Sequence, residues 1–381
     1  PAADWHKGFM ETNIDCTCRI MGLGPGESRE EKFLKKYIRV DEAGWEIEAD
    51  PRHVDNLIKM HALDGKNAKG AATPWDKSFD TMPNADEELL GEEAALFRTG
   101  AGIGQYLAAD RFDLQYAVKE CRREAAKPTK RAQARLKRVA RYLVTHRRLV
   151  VRFRFLTPEE RKHKGLRRLR VFVDAAHAGC KRTRKSTTAG VSMRGPHNLG
   201  EFVATQVLIS ISSGESEFYG LLRASVEAKF LGNLLTWLEF DEKQETPELA
   251  SDATAALGSA ARLGVGKRMK HIDTQHLFIQ REVNEGRLKL RKVKGEDNPA
   301  DAGTKPLAEP RMKRLLEMVG IKFLVAAVIA ARAVECAEAA EVAVSGGVQV
   351  TVPETVAAAA THLVGSGLGQ ILAIWEVVKA L

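Results

Sequence analysis

Cysteine is scarce in this sequence, with 5 among 381 residues, and no two of them form a Cys-x-x-Cys pair. Cys16, Cys18, Cys121, Cys180 and Cys336 offer no even framework, which excludes a disulfide scaffold and points to reduced thiols in a cytoplasmic or nuclear compartment. No charged segment followed by an apolar one opens the chain, so it is not expected to be secreted. The first residue is Pro1, as expected of a piece of a longer translation product. Long apolar runs are missing too. The best one, "FLVAAVIAARAVECAEAA" from Phe323, is broken by Arg332, Glu335 and Glu338 before the ~20 apolar residues that a membrane helix needs. A soluble Ala-rich helix is expected there, and no membrane partner.

What is present is a foldable composition, 44% hydrophobic and 29% charged, which argues against wholesale disorder. The net charge of +9 is unevenly spread. Between Arg122 and Arg170 there are nineteen Lys and Arg against three Glu, so the rest of the chain is net acidic. Such a block suits a polyanionic partner.

Four regions separate by composition. Residues 1–92 mix strand-like runs ("YIRVDEAGWEIEAD") with a helical "PRHVDNLIKMHAL" and a loop-rich stretch. Residues 93–156 read as helical. In "KRAQARLKRVARYLVTHRR", Leu136, Val139, Ala140, Leu143 and Val144 recur at helical spacing, and Pro128 marks a start nearby. Its opposite face carries Lys130, Arg131, Arg135, Lys137, Arg138 and Arg141. That face is either a solvated surface or a phosphate track, and the charge density favours the track. Residues 157–322 alternate strands (169–174, 188–194, 199–210, 248–252, 287–295) with helices, the longest from about 215 to 238. The order predicts an α/β domain with a mixed sheet. Residues 323–381 are Ala/Val-rich, with no assigned role.

Carboxylates sit where these elements end. Asp174 closes the first strand of the α/β region and Asp252 the fourth. Glu217 lies in the first turn of the long helix, and Asp301 begins a short helical segment in "VKGEDNPADAGTKPL". Open α/β sheets place ligands at the C-terminal ends of their strands. Bare clustered acids repel each other, and oxygen-only ligation points to Mg²⁺ or Mn²⁺ rather than zinc. Each acid taken singly also fits a cap or a surface charge, and spacing alone leaves both readings open. Lys294 and Lys305, flanking Asp301, fit a site contact and a plain surface lysine equally.

These residues carry a resemblance. "VFVDAAHAGCKRTRKSTTAGVSM", "ISISSGESEFYGLLRA", "ASDATAAL" and "KRMKHIDTQHLFIQREVNEGRLKLRKVKGEDNPADAGTKPL" are similar, in order, to motifs of the ribonuclease H domain of Copia-type retrotransposon Pol polyproteins. Upstream, "FLKKYIRVDEAGWEIEADPRHVDNLI" resembles the end of their reverse transcriptase, and residues from Phe97 to Leu143 the segment that follows the polymerase palm. No Tyr-x-Asp-Asp motif is present, so this piece is not expected to synthesise DNA. The resemblance implies a ribonuclease H-like five-stranded mixed sheet with flanking helices, preceded by a mixed α/β remnant and a helical connection. It implies a metal-binding catalytic tetrad of Asp174, Glu217, Asp252 and Asp301, with Glu215 as the alternative to Glu217. Glu296 stands where cellular ribonucleases H often have a His. His177 is expected to line the groove or the surface without being a ligand.

The activity so implied is a metal-dependent endonuclease that cleaves the RNA strand of RNA–DNA hybrids, using two Mg²⁺ ions with Mn²⁺ as a substitute. The hybrid is the expected partner, with the upstream polymerase region of the same polyprotein as a second. The alternative is a decayed or co-opted hybrid- or RNA-binding module without turnover. An integrase-like strand transferase fits less well, because such sites use three carboxylates.

Overall fold

In the computed structural model the described residues are 20–237, 245–266 and 270–324. The tail from 325 on, Leu238, Cys16, Cys18 and Cys336 lie outside them. Among the described residues no helix is long and apolar enough to cross a membrane. They fall into two compact units.

The first unit spans residues 20–49 and 150–155. Strands β1 (Glu30–Phe33), β2 (Lys36–Asp41), β3 (Gly44–Glu48) and β4 (Leu149–Arg154) pair antiparallel in that order. Ile38, Val40, Trp45 and Phe153 form the core of this unit. The helical expectation for residues 93–156 fails at its end. "LVVRFR" is rich in β-branched and aromatic side chains, which fit a pleated surface, and it pairs with β3 from Val150 opposite Glu48 to Arg154 opposite Gly44.

The second unit spans residues 50–149 and 156–323. It begins with helices α1 (Pro51–Met60), α2 (Gly91–Ala108), α3 (Phe112–Arg122) and α4 (Lys130–Thr145). The start of α4 follows Pro128 as expected: Thr129 Oγ1 caps it by accepting from the Ala132 amide at 3.3 Å. After the short helix α5 (Pro158–Lys162) comes the expected five-stranded sheet. It contains β5 (Leu169–Ala176), β6 (Thr187–Arg194), β7 (His197–Thr205), β8 (Glu248–Ser251) and β9 (Lys289–Lys292), in the order β7-β6-β5-β8-β9. β5, β6 and β7 form an antiparallel meander, whereas β8 and β9 run parallel to β5. This is the five-stranded mixed sheet with flanking helices that the sequence led one to expect.

Helix α6 (Ser213–Trp237) lies on this sheet and buries Phe218, Leu221, Ala224 and Ala228 against Val171, Val173 and Leu249. Its Gly220 makes the approach close, since a Cβ there would sit 3.2 Å from Cγ2 of Val173. The remaining helices are α7 (Thr254–Ala261), α8 (Phe278–Asn284), α9 (Asp301–Thr304) and α10 (Glu309–Met318). Two strands are shorter than expected. β7 ends at Thr205, and Gln206 then donates to Thr188 Oγ1 at 2.8 Å and to the Ser216 carbonyl at 2.7 Å, which leads the chain away. β9 covers only 289–292 of the expected 287–295.

Candidate metal centre

Strand register brings the first two acids together. Parallel pairing sets Arg170 opposite Glu248 and Phe172 opposite Ala250. Continuing that register two residues puts Asp174 level with Asp252, on neighbouring strands ~4.8 Å apart. Glu217 enters from the first turns of α6. One carboxylate oxygen from each of Asp174, Glu217 and Asp252 lies within 4.8 Å of the others. Asp174 and Glu217 are buried and Asp252 is partly so.

The electrostatics record the crowding. Burial, then the charges of Asp174 and Asp252, push the Glu217 carboxyl up to about 8. Its Oε2 is buried with no hydrogen-bond partner. Glu215, two residues earlier, faces elsewhere: its Oε2 accepts from the Ile211 amide at 2.9 Å and lies 3.1 Å from His271 Nε2.

Asp301 belongs to an adjoining arrangement and is not one of the three acids within 4.8 Å. Its carboxylate is buried and meets Lys305 Nζ at 2.8 Å and the guanidinium of Arg311. Burial and Asp174 still raise it to about 6, against the opposing pull of Lys305 and Arg311. Three residues that the sequence did not single out position this corner. Thr304 Oγ1 donates to Asp174 Oδ2. Asn298, fully buried, donates Nδ2 to the Val173 carbonyl at 2.9 Å and so ties the acidic loop to β5. Gly303 lets α9 touch the sheet, because a Cβ there would stand 2.6 Å from Cβ of Ala189. Asn298 and Thr304 lie within the "EDNPADAGTKPL" motif, but nothing in its spacing says which strand they reach.

The other residues considered from the sequence are dispersed. His177, Glu296 and Lys294 are exposed. On α4 only Lys137 is exposed among the six basic residues, and Lys130, Arg131, Arg138 and Arg141 are partly buried. Lys130 pairs with Glu87 at 2.7 Å and Arg131 with Asp86 at 2.9 Å. Arg135 meets Glu124 at 3.0 Å and lies over the Trp75 ring. Arg138 donates to the Thr73 carbonyl at 3.1 Å, and Arg141 to that of Lys69 at 2.9 Å.

An all-oxygen donor set with a buried, unpartnered carboxylate oxygen and a raised pKa fits a hard divalent cation. No family model matches the chain. Three relatives do. The chain is 29% identical over 271 residues to the retrovirus-related Pol polyprotein from transposon RE2 of Arabidopsis thaliana, covering 70% of this chain and 17% of the relative. It is 29% identical over 228 residues to that from transposon RE1 of the same plant (59% and 15%). With that from transposon TNT 1-94 of Nicotiana tabacum it shares 24% over 275 residues (71% and 20%). The likeness to retrotransposon Pol polyproteins holds. The chain spans a fifth or less of the length of these relatives. Among solved structures, LC11-RNase H1 isolated from compost aligns over 36% of this chain and 93% of its own, at 14% identity and a TM-score of 0.27.

Proposed function

We propose that residues 157–322 are a ribonuclease H-type hydrolase that cuts the RNA strand of RNA–DNA hybrids with divalent metal ions. The observation that carries this reading is the convergence of Asp174, Glu217 and Asp252 from three separate elements, with Asp301 beside them. Asp174, Glu217 and Asp252 would hold Mg²⁺ or Mn²⁺, in the two-ion arrangement that such chemistry uses, and Asp301 would complete the acidic shell. When bound, the ions supply a nucleophile at neutral pH and stabilise the leaving oxygen.

The chain's own groups do the rest. Thr304 and Asn298 fix where Asp174 and Asp301 point, and the burial of Glu217 would keep water from screening the charge it carries opposite a bound cation. Lys305, half-exposed beside Asp174 and Asp301, is placed to meet a phosphate oxygen at the cleavage position. Lys137 and Lys294 are exposed cations that can meet backbone phosphates without reading sequence. Discrimination of the RNA strand would rest on its 2′-hydroxyls, which a hybrid presents in a wide, shallow minor groove.

The test is incubation of the purified chain with a labelled RNA–DNA hybrid and Mg²⁺ or Mn²⁺, beside the Asp174→Asn variant. Cleavage of the RNA strand by the parent alone supports the nuclease. Salt-sensitive binding without cleavage supports the module without turnover, and nicking of duplex DNA a strand transferase.

A further inference from the structure

A hybrid is a dense polyanion, yet the arginines of α4 are engaged by the chain itself. Another cationic surface adjoins the strand that carries Asp174. The turn joining β5 to β6, residues 177–186, carries Lys181, Arg182, Arg184 and Lys185 and no acid. Beside it lies the end of α3, with Lys119, Arg122 and Arg123. The two acids there are both engaged: Glu120 pairs with Lys119 at 2.6 Å and with Arg123 at 2.9 Å, and Glu124 with Arg135 at 3.0 Å. The turn and the helix end together hold seven Lys and Arg against two Glu.

The turn is also tied down. Arg123 Nη1 holds Glu120 while its Nη2 donates to Thr183 Oγ1 at 3.2 Å, and Arg182 Nη2 returns to the Arg123 carbonyl at 3.4 Å. Lys119 Nζ reaches Thr187 Oγ1 at 2.5 Å. Within the turn, Ala178 donates its amide to Oγ of the fully buried Ser186 at 3.0 Å, and Arg184 donates its amide to the Cys180 carbonyl at 2.8 Å. Ala178 and Arg184 take left-handed φ values of 49° and 56°, which non-glycine residues hold only where neighbours enforce them. Although burial opposes it, hydrogen bonds from Thr183 and then the charge of Arg123 pull the Cys180 thiol below its usual pKa.

Position completes the case. The turn begins three residues beyond Asp174, roughly 10 Å along the strand at ~3.3 Å per residue. A duplex with its scissile bond at the acids extends over such a distance, with phosphates at every step along each strand.

We propose that the β5–β6 turn, through Lys181, Arg182, Arg184 and Lys185 together with Arg122, is a preformed clamp for the phosphate backbone of the duplex beside the acidic cluster. The choice of a hybrid as that duplex rests on the proposed nuclease reading. The test does not depend on turnover.

Binding of a short RNA–DNA hybrid is measured against salt in EDTA, with full-length chain carrying Asp174→Asn. Further changing Arg122→Gln, Arg184→Gln and Lys185→Gln is expected to make the slope of log K against log salt shallower by about 2 to 3, at ~0.9 per phosphate contact, with at least about tenfold weaker binding at 0.1 M salt. A control with the same charge loss elsewhere, Lys35→Gln, Lys66→Gln and Lys322→Gln, keeps the parent slope. Should the triple variant melt early, Arg184→Gln alone is used, with a slope change of about 1. An unchanged slope, an equal drop in the control, or no salt-dependent binding by the parent overturns the clamp. Cleavage by the chain with intact Asp174, together with an unchanged slope, sinks the clamp and leaves the nuclease. The reverse pattern sinks the nuclease and leaves the clamp.

Discussion

Lys305 reaches back one helical turn to set its Nζ 2.8 Å from Oδ1 of Asp301, and the same ammonium lies 3.8 Å from Oδ2 of Asp174. Burial works against its charge, but Asp174 and Asp301 outweigh that and raise its pKa. The acidic corner thus carries its own cation. An incoming divalent ion competes with this ammonium for the same carboxylates. Lys305→Gln is expected to lower stability in EDTA and to tighten Mg²⁺ binding by about three- to tenfold, a modest gain because the lysine is half exposed and screened. Titration calorimetry reads both the affinity and its direction, and weaker binding would contradict the competition.

The four acids are not equivalent. Asp174, Glu217 and Asp252 share one locus, whereas Asp301 is held by Lys305 and Arg311. Removing a direct ligand forfeits several kcal/mol of charge stabilisation, and each 1.36 kcal/mol is tenfold in rate. Asp174→Asn, Glu217→Gln and Asp252→Asn are expected to lower hybrid cleavage more than about 10³-fold. Asp301→Asn is expected to cost about 10- to 100-fold, as for a group that orients ligands. Equal losses at all four positions would place Asp301 in the same shell as the others.

The crowded carboxyl of Glu217 makes stability depend on pH. Its folded pKa of about 8 lies above the ordinary value of 4.5, so the folded state binds the proton more tightly than the unfolded state. Stability from this group is therefore full below pH 4.5 and is lost as pH rises toward 8. In EDTA, Glu217→Gln should gain on the parent progressively between pH 5 and pH 8, by at most ~1.4 kcal/mol per pH unit. Urea denaturation across that range measures the difference. Mg²⁺ should restore the parent at pH 8 and the variant far less. A gap that does not change with pH would mean that Glu217 is not crowded in the absence of metal.

The part of this arrangement visible in the sequence was the part written locally. Asp174 and Asp252 end strands whose hydrophobic runs announce them, and Glu217 opens a helix with an apolar stripe. Each is marked by where its element stops. Register then does the joining, because equal offsets along β5 and β8 set the two aspartates level. The contacts of Thr304 with Asp174 and of Asn298 with Val173 span 130 and 125 residues, and no local pattern encodes a partner that distant. "LVVRFR" reads as helical from the sequence for the same reason, although it is a strand. Its helical neighbour α4 outweighed its own β-branched character until β3 was there to pair with it.

Basic residues show the limit of reading charge from composition. In the sequence, Arg138 and Arg141 lie on a cationic helix face that suits phosphate. In the fold they grip the segment from Lys69 to Asp76: Arg138 donates to the Thr73 carbonyl at 3.1 Å and lies 3.1 Å from Asp76, and Arg141 donates to the carbonyls of Lys69 at 2.9 Å and Gly70 at 3.2 Å. Each carbonyl that loses such a donor must find water or remain unsatisfied, at ~1 kcal/mol or more. Replacing both arginines by Gln is expected to lower stability by about 2 kcal/mol and to speed proteolysis between 66 and 77, while the salt slope of hybrid binding stays at the parent value. A shallower slope with unaltered stability would instead return these two arginines to the phosphate surface, at the expense of their grip on the loop.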